Sequence, residues 1–401
     1  MRPPRKVALF AAASVALTAA LAGAGTASAA APAHPFPAHV TYQTGVLPSA
    51  SASERDAAVK KQYDSWKTKF LRKACGGTFV VAAEDTHNNG MVSEGQGYGM
   101  NIVPLMAGYD PDAKAIFDDM WKFVQAHTDG KGLLQWIIDG KTCKYDDDGT
   151  PDSATDGDLD VGYGLLLADK QWGGYTAAAK DWLGKIYQHD VAPDGHLRIA
   201  DDTGDDDTRP SDFMLDHLRA FAKFDTAHDW NKVITRTEQV ITQFTANYSP
   251  NANLLSDFVV GAGGSSPKPA DPNKHEGPYD NIVSYNSVRV PWHMGTDALL
   301  YGGKVATDVA KKEAASYKSK SGGNPSKIYP TVKLDGTPTN TGDQSETAPN
   351  SVGPAAMVSG DQAFTDALWK FMATNPYDDA YYGETIKMLC YLVMSGNYWA
   401  P

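Results

Sequence analysis

The chain has 401 residues, 48 acidic side chains against 36 basic ones and a formal charge of −12, a balance that argues against nucleic acid as a partner. It is long for one domain, yet no Ser/Pro/Thr-rich linker divides it, so one large domain is expected rather than two tethered modules. Three cysteines, no CxxC pair and ten scattered histidines offer no metal-ligand spacing, and neither a metal nor a cofactor is expected.

Residues 1–29 read as a secretory signal. Arg2, Arg5 and Lys6 form its positive start, an Ala/Leu/Val core follows, and Ala27-Ser28-Ala29 is a small-residue cleavage site. Cleavage there predicts a secreted, extracellular protein of charge −15, because the leader holds three basic residues and no acid. The apolar run is short and Ala-rich for an anchor, so no membrane partner is expected afterwards, and a monomer is the default. Residues 30–50, with Pro32, Pro35, Pro37 and Pro48, form an extended lead-in to a single domain over 51–401.

Apolar residues at three- and four-residue spacing predict helices over 53–72, 96–107, 112–127, 157–171, 175–188, 211–224, 229–247, 289–300, 303–317, 361–373 and 380–395. Strand-like runs are few and short, such as Thr78–Ala82. Short connections (108–111, 172–175, 225–228) alternate with long ones (73–95, 128–154, 189–210, 248–288, 318–350). This all-α pattern suits a closed toroid of inner and outer helices, with the long loops on one face forming a groove. No sequence repeats at a fixed period, which speaks against an open solenoid.

Ser93–Met100 places Glu94 among Gly95, Gly97 and Gly99 and beside Tyr98. A lone acid in such a wall suits a proton donor, whose raised pKa partial burial would supply; a Gly-rich turn with a solvated Glu is the plain alternative. In residues 154–172, Asp156, Asp158 and Asp160 stand two apart before an apolar helical run. The positive end of a helix explains one acid there, not three. The acid run 201–212 fails as an EF-hand, lacking Glu at the twelfth position and Gly at the sixth, and reads as a solvated loop. Cys75 and Cys143 flank the two acidic motifs in loops and are expected to pair, leaving Cys390 as a buried free thiol.

Together these motifs resemble glycoside hydrolase family 8. Ser93–Met100 resembles that family's acid motif, and Ala154–Trp172 its A-[ST]-D-[AG]-D pattern, with Gly162 and Gly164 where Ala or Ser is typical. Further matching stretches are Leu133–Trp136, Pro210–Phe213, Tyr285–Trp292 and Ser395–Trp399. The resemblance implies an (α/α)6 barrel and an inverting, endo-acting hydrolase of β-1,4-linked glycans. It assigns Glu94 as general acid and Asp156 as the residue that holds the distorted sugar. Where much of the family has Asp as general base, this chain has Asn286, and an amide cannot take a proton from water. A subgroup with Asn here uses a Glu from the preceding loop, which points to Glu276, with Asp280 and Asp271 as further candidates. That subgroup suggests β-glucan or chitosan as the polysaccharide rather than xylan. Trp136, Tyr98, Tyr285 and Trp292 could stack on sugar rings or belong to the core. Asn286, Arg289 and Asp158 are also expected at the substrate, although Arg289 could be a buried structural pair and Asp158 a helix cap. The competing readings are a catalytically silent glycan-binding protein on the same fold, motivated by Asn286, a xylan-directed member, and a polysaccharide lyase.

Overall fold

Twelve α-helices are present among the described residues of the computed structural model, which are 31–82, 88–374 and 380–401. The expected leader over 1–29 lies outside them. The helices are α1 (Ala52–Phe70), α2 (Ser93–Leu105), α3 (Ala113–Ala126), α4 (Thr155–Trp172), α5 (Thr176–His189), α6 (Leu215–Phe224), α7 (Trp230–Tyr248), α8 (Val290–Tyr301), α9 (Lys304–Ser321), α10 (Thr347–Ser359), α11 (Gln362–Thr374) and α12 (Tyr381–Ser395).

The even-numbered helices form an inner ring. Each packs on the next, and α12 packs back on α2. The odd-numbered helices lie outside: α1 rests on α12, α3 on α2, α5 on α4, α7 on α6, α9 on α8 and α11 on α10. This is an (α/α)6 barrel. Outer helices such as α3 and α7 bury one stripe, whereas α2, α4 and α10 are buried nearly all round. The inner ring tolerates close backbone approach: a Cβ at Gly97 would lie 2.4 Å from Asp160 Cβ, and one at Gly164 would lie 2.8 Å from Met100 Cβ.

One inner helix departs from expectation. Residues 347–359 were expected to start within a long loop and are helix α10. Its sequence carries Pro349, Gly353 and Pro354 and lacks amphipathic spacing, because every face of it meets protein. Pro349 costs little in the first turn, where the amide has no helical acceptor.

Long connections run from five of the six outer helices into the N-terminus of the next inner one, the exception being α11 to α12, and the alternation of inner and outer helices puts the inner N-termini on one face. Short antiparallel strands brace these connections. β1 (Leu71–Ala74) pairs with β2 (Gly77–Val80), and β3 (Met91–Val92) with β4 (Ile137–Ile138). A three-stranded sheet joins β5 (Asp207–Thr208), β6 (Val259–Val260) and β7 (Lys268–Pro269). Cys75 and Cys143 are disulfide-bonded with Cα atoms 5.3 Å apart, and Cys390 is a buried free thiol.

The lead-in crosses the opposite end of the barrel. The amides of Phe36, Val40, Gln43 and Val46 donate to the carbonyls of Ala107, Gly396, Leu299 and Met357 at 2.7–3.0 Å. Those carbonyls lie at or just past the C-terminal ends of α2, α12, α8 and α10, where helices leave acceptors unsatisfied. The lead-in thus lies across the end opposite the inner N-termini.

Candidate active site

Glu94 is the second residue of α2, Asp156 the second of α4, and Tyr381 the first of α12; Arg289 immediately precedes α8. The barrel brings these four helix starts together, and their aligned amides favour negative charge there.

Arg289 is the hub and is 1% exposed. Its Nη1 donates to Glu94 Oε2 at 2.5 Å and to Asp156 Oδ2 at 2.9 Å. Its Nη2 donates to Ser211 Oγ at 2.9 Å and Asn286 Oδ1 at 3.1 Å. The second oxygen of each acid has a separate partner. The Tyr381 hydroxyl donates to Glu94 Oε1 at 2.7 Å, and Arg209 Nη2 pairs with Asp156 Oδ1 at 2.9 Å. Gly95 makes room for the tyrosine, since a Cβ there would lie 2.7 Å from the Tyr381 hydroxyl oxygen.

These surroundings push the two acids apart. Burial raises the Glu94 carboxyl above the usual range and the Asp156 charge adds to this, against the pull of Arg289 and the Tyr381 hydrogen bond. Burial acts on Asp156 too, but Arg209 and Arg289 outweigh it and hold that carboxyl at about 2. Asp212, paired with Arg209 Nε at 3.0 Å, is pushed up to about 7 by burial. An acid whose pKa is raised beside one whose pKa is lowered is the pattern of an acid–base site.

Glu276 stands at the other end of a side-chain relay. Asn286 Nδ2 donates to Glu276 Oε2 at 2.7 Å, and Arg209 Nη1 is 4.0 Å from Glu276 Oε1. Three hydrogen bonds, through Asn286 and Arg289, thus connect Glu276 to Glu94. The Glu276 side chain is 58% exposed, against 16% for Glu94. Of the other base candidates, Asp280 is unsuited: it is 3% exposed and its carboxylate accepts from the amides of His275, Glu276 and Gly277. Asp271 is exposed.

The aromatic candidates divide. Trp136 is half-buried; its carbonyl accepts from the Ser93 amide at 2.8 Å, one residue before Glu94. Its indole N–H donates to the Tyr145 hydroxyl at 3.0 Å, and Tyr145 in turn donates to Asp152. Tyr285 is 42% exposed and donates to Asp343 at 3.1 Å. Tyr98, expected at the substrate, is fully buried: its hydroxyl accepts from Arg289 at 3.2 Å and its ring meets Trp292 edge-on. It offers no face to a sugar.

Asp158 is also corrected. It is fully buried, and its carboxyl is raised by burial and by the charges of Asp190 and Asp201. It neither caps the helix nor reaches the Glu94 cluster. Asp160 is buried as well and accepts from Asn101 Nδ2 at 2.6 Å, with His217 Nε2 3.0 Å away. The acid run 201–212 is not uniformly solvated: Asp201 pairs with Lys131 at 3.1 Å and Asp212 with Arg209. No group of three acidic, histidine or cysteine side chains suited to a metal occurs among the described residues, and no helix there is long and apolar enough to cross a membrane. Arg209, Tyr381 and Tyr382, whose hydroxyl donates to the Tyr285 carbonyl at 2.5 Å, are site residues that sequence reasoning missed. Arg209 directly precedes the Pro210–Phe213 stretch, which was a usable signal; the Tyr381-Tyr382 pair carries none that stands out.

The chain is similar to known proteins over most of its length. Residues 34–396 match the family described as Glycosyl hydrolases family 8. The chain is 38% identical to a beta-glucanase of Niallia circulans over 386 residues, covering 92% of each protein. It is 37% identical to an endoglucanase of Bacillus sp. strain KSM-330, covering 92% of this chain and 82% of the relative. Among solved structures, the apo beta-1,3-1,4-glucanase from Paenibacillus sp. X4 superposes with a TM-score of 0.86 at 37% identity, covering 92% of this chain and 100% of that one. A cold-adapted family 8 xylanase shares the fold at a TM-score of 0.72 and 18% identity, covering 89% of this chain and 98% of that one.

Proposed function

The chain belongs to glycosyl hydrolases family 8 and is a glycoside hydrolase, and from that premise we propose that it is an endo-acting β-glucanase that inverts the anomeric centre. The observation that carries this reading is the relay Glu94–Arg289–Asn286–Glu276, which joins two carboxyl groups without letting them touch. Inversion requires such a gap, about 6.5–9.5 Å, for the attacking water.

In this mechanism Glu94 gives its proton to the glycosidic oxygen as the C–O bond breaks. Glu276 takes a proton from a water whose oxygen bonds to the anomeric carbon from the opposite face. Asn286 engages Glu276 Oε2, leaving Oε1 for that water. Asp156, held at about 2, stays ionised and accepts hydrogen bonds from the sugar at the scissile bond. Each turnover leaves Glu94 ionised and Glu276 protonated; the exposed Glu276 loses its proton to solvent, and Glu94 takes one back from it. Trp136 and Tyr285 supply the apolar faces on which flanking sugars stack.

The relatives named for β-glucan favour that substrate. Chitosan is the second reading, favoured by acids beside the aromatic faces: Asp152 near Trp136 and Asp343 on Tyr285. Reducing-end release from mixed-linkage β-glucan, carboxymethylcellulose, chitosan and xylan separates these readings. NMR of the first-formed product reads the stereochemistry: the α-anomer is expected, and the β-anomer contradicts inversion. Export with cleavage after Ala29 and a monomeric state belong to the same proposal. N-terminal sequencing of protein from culture medium and sedimentation test them.

A further inference from the structure

Glu276 lies on an exposed turn, yet a catalytic base must be held within roughly 0.5 Å of its productive position. Two buried aspartates outside the acid–base pair address this. Asp280, three residues after Gly277, accepts from three successive amides: His275 at 2.7 Å, Glu276 at 3.3 Å and Gly277 at 3.0 Å. Asp257 is 5% exposed and does the same for the neighbouring turn. It accepts from the amides of Ser284 at 2.7 Å, Ser287 at 2.8 Å and Asn286 at 3.2 Å, and from the Ser287 hydroxyl at 2.7 Å.

The two aspartates are themselves tied together. The Asp257 amide donates to the Ile282 carbonyl at 2.8 Å, and the Phe258 amide to the Asp280 carbonyl at 3.0 Å. Phe258 leads directly into β6 of the three-stranded sheet, so both turns hang from one braced segment. Hydrogen bonds to an ionised acceptor are roughly twice as strong as neutral ones. One carboxylate therefore shapes the turn that presents Glu276, and the other shapes the turn that presents Asn286, the residue that grips Glu276.

We infer that Asp280 and Asp257 are positioning residues for the base: they fix Glu276 and Asn286 so that the Glu276 carboxylate meets the attacking water. This rests on the proposed role of Glu276. Asn at either position offers one acceptor oxygen and an NH2 that opposes the remaining amides, so the turn must reorganise.

The test uses the full-length enzyme with mixed-linkage β-glucan. Asp280→Asn and Asp257→Asn are compared with Glu276→Gln for kcat, KM and thermal midpoint. The expected result is a fall in kcat on the order of 10²-fold, the cost of misplacing a reacting group by about an ångström, with KM changed by less than about threefold. Asp280→Ser, which keeps one uncharged acceptor, is expected to fall between wild type and Asp280→Ala. Folded Asp280→Asn and Asp257→Asn enzymes with wild-type kcat, beside an inactive Glu276→Gln, overturn the inference and leave the base assignment standing. An active Glu276→Gln overturns the base assignment itself. If none of the aspartate variants folds, the carboxylates carry the fold rather than the base, and the inference is equally refuted.

Discussion

Asn286 donates its side-chain amide to Glu276 at 2.7 Å while its carbonyl oxygen accepts from Arg289 at 3.1 Å. The residue that cannot act as a base thus orients one that can. Asn286→Asp replaces this donor by a second carboxylate. Two carboxylates at that distance share a proton, because like charges disfavour double ionisation. We expect kcat/KM at neutral pH to fall by about tenfold or more, equivalent to about 1.4 kcal/mol of lost transition-state stabilisation. An unchanged pH–rate profile in Asn286→Asp contradicts the orienting role.

Tyr381 and Gly95 act as one unit in holding Glu94. The Tyr381 hydrogen bond lowers the Glu94 pKa against the larger upward push of burial. Tyr381→Phe removes that bond, so the Glu94 pKa rises further and the alkaline limb of kcat/KM moves to higher pH. Gly95→Ala puts a methyl 2.7 Å from the Tyr381 hydroxyl oxygen, and both it and Tyr381→Phe are expected to lower kcat about tenfold. The double variant is expected to cost little more than either single one. Additive losses in this cycle show that the two changes act independently.

Asp156 links the site to acid stability. Its carboxyl is held at about 2 in the folded protein, below the ordinary value of 3.8, because Arg209 and Arg289 outweigh burial. The folded state therefore binds this proton less readily than the unfolded chain does. The resulting stability is complete above pH 4 or so and is lost as pH falls towards about 2, on the order of 2 kcal/mol. The urea midpoint of Asp156→Asn is expected to be lower than wild type at pH 7, because two buried arginines lose a partner. The gap should narrow as pH falls below about 4; a constant gap contradicts the ionisation assigned to Asp156.

The disulfide reports on the Trp136 side of the groove. Cys75 and Cys143 close a separation of 68 residues, for which the chain-entropy relation gives about 4 kcal/mol. The bridge tethers the loop that brings Tyr145 under Trp136. Replacing both cysteines by serine is expected to lower the thermal midpoint and to raise KM for long oligosaccharides more than for short ones. Unchanged KM for all lengths separates the bridge from sugar binding.

Much of the barrel is legible in the sequence, because outer helices bury one stripe and their spacing shows it. The inner ring is harder to read: α10 is surrounded by protein, and two prolines and a glycine sit in a helix with no polar face to reveal its period. The site shows the same division. Glu94 and Asp156 stand out as acids at helix starts. Tyr98 was misplaced because it lies four residues after Glu94, on the same face but one turn deeper in the barrel. Asp158, two residues after Asp156, points to another side of α4, where the charges of Asp190 and Asp201 act on its carboxyl. Motif neighbours share a segment without sharing a surface. Tyr381 lies 287 positions from Glu94, and only the closed ring brings them together.

The most direct test of the acid–base pair is the turnover of Glu276→Gln on mixed-linkage β-glucan at saturating substrate. A fall in kcat on the order of 10²–10⁴-fold, with KM little changed, is expected when a general base is lost. Turnover within about threefold of wild type contradicts Glu276 as the base, a difference smaller than any such loss.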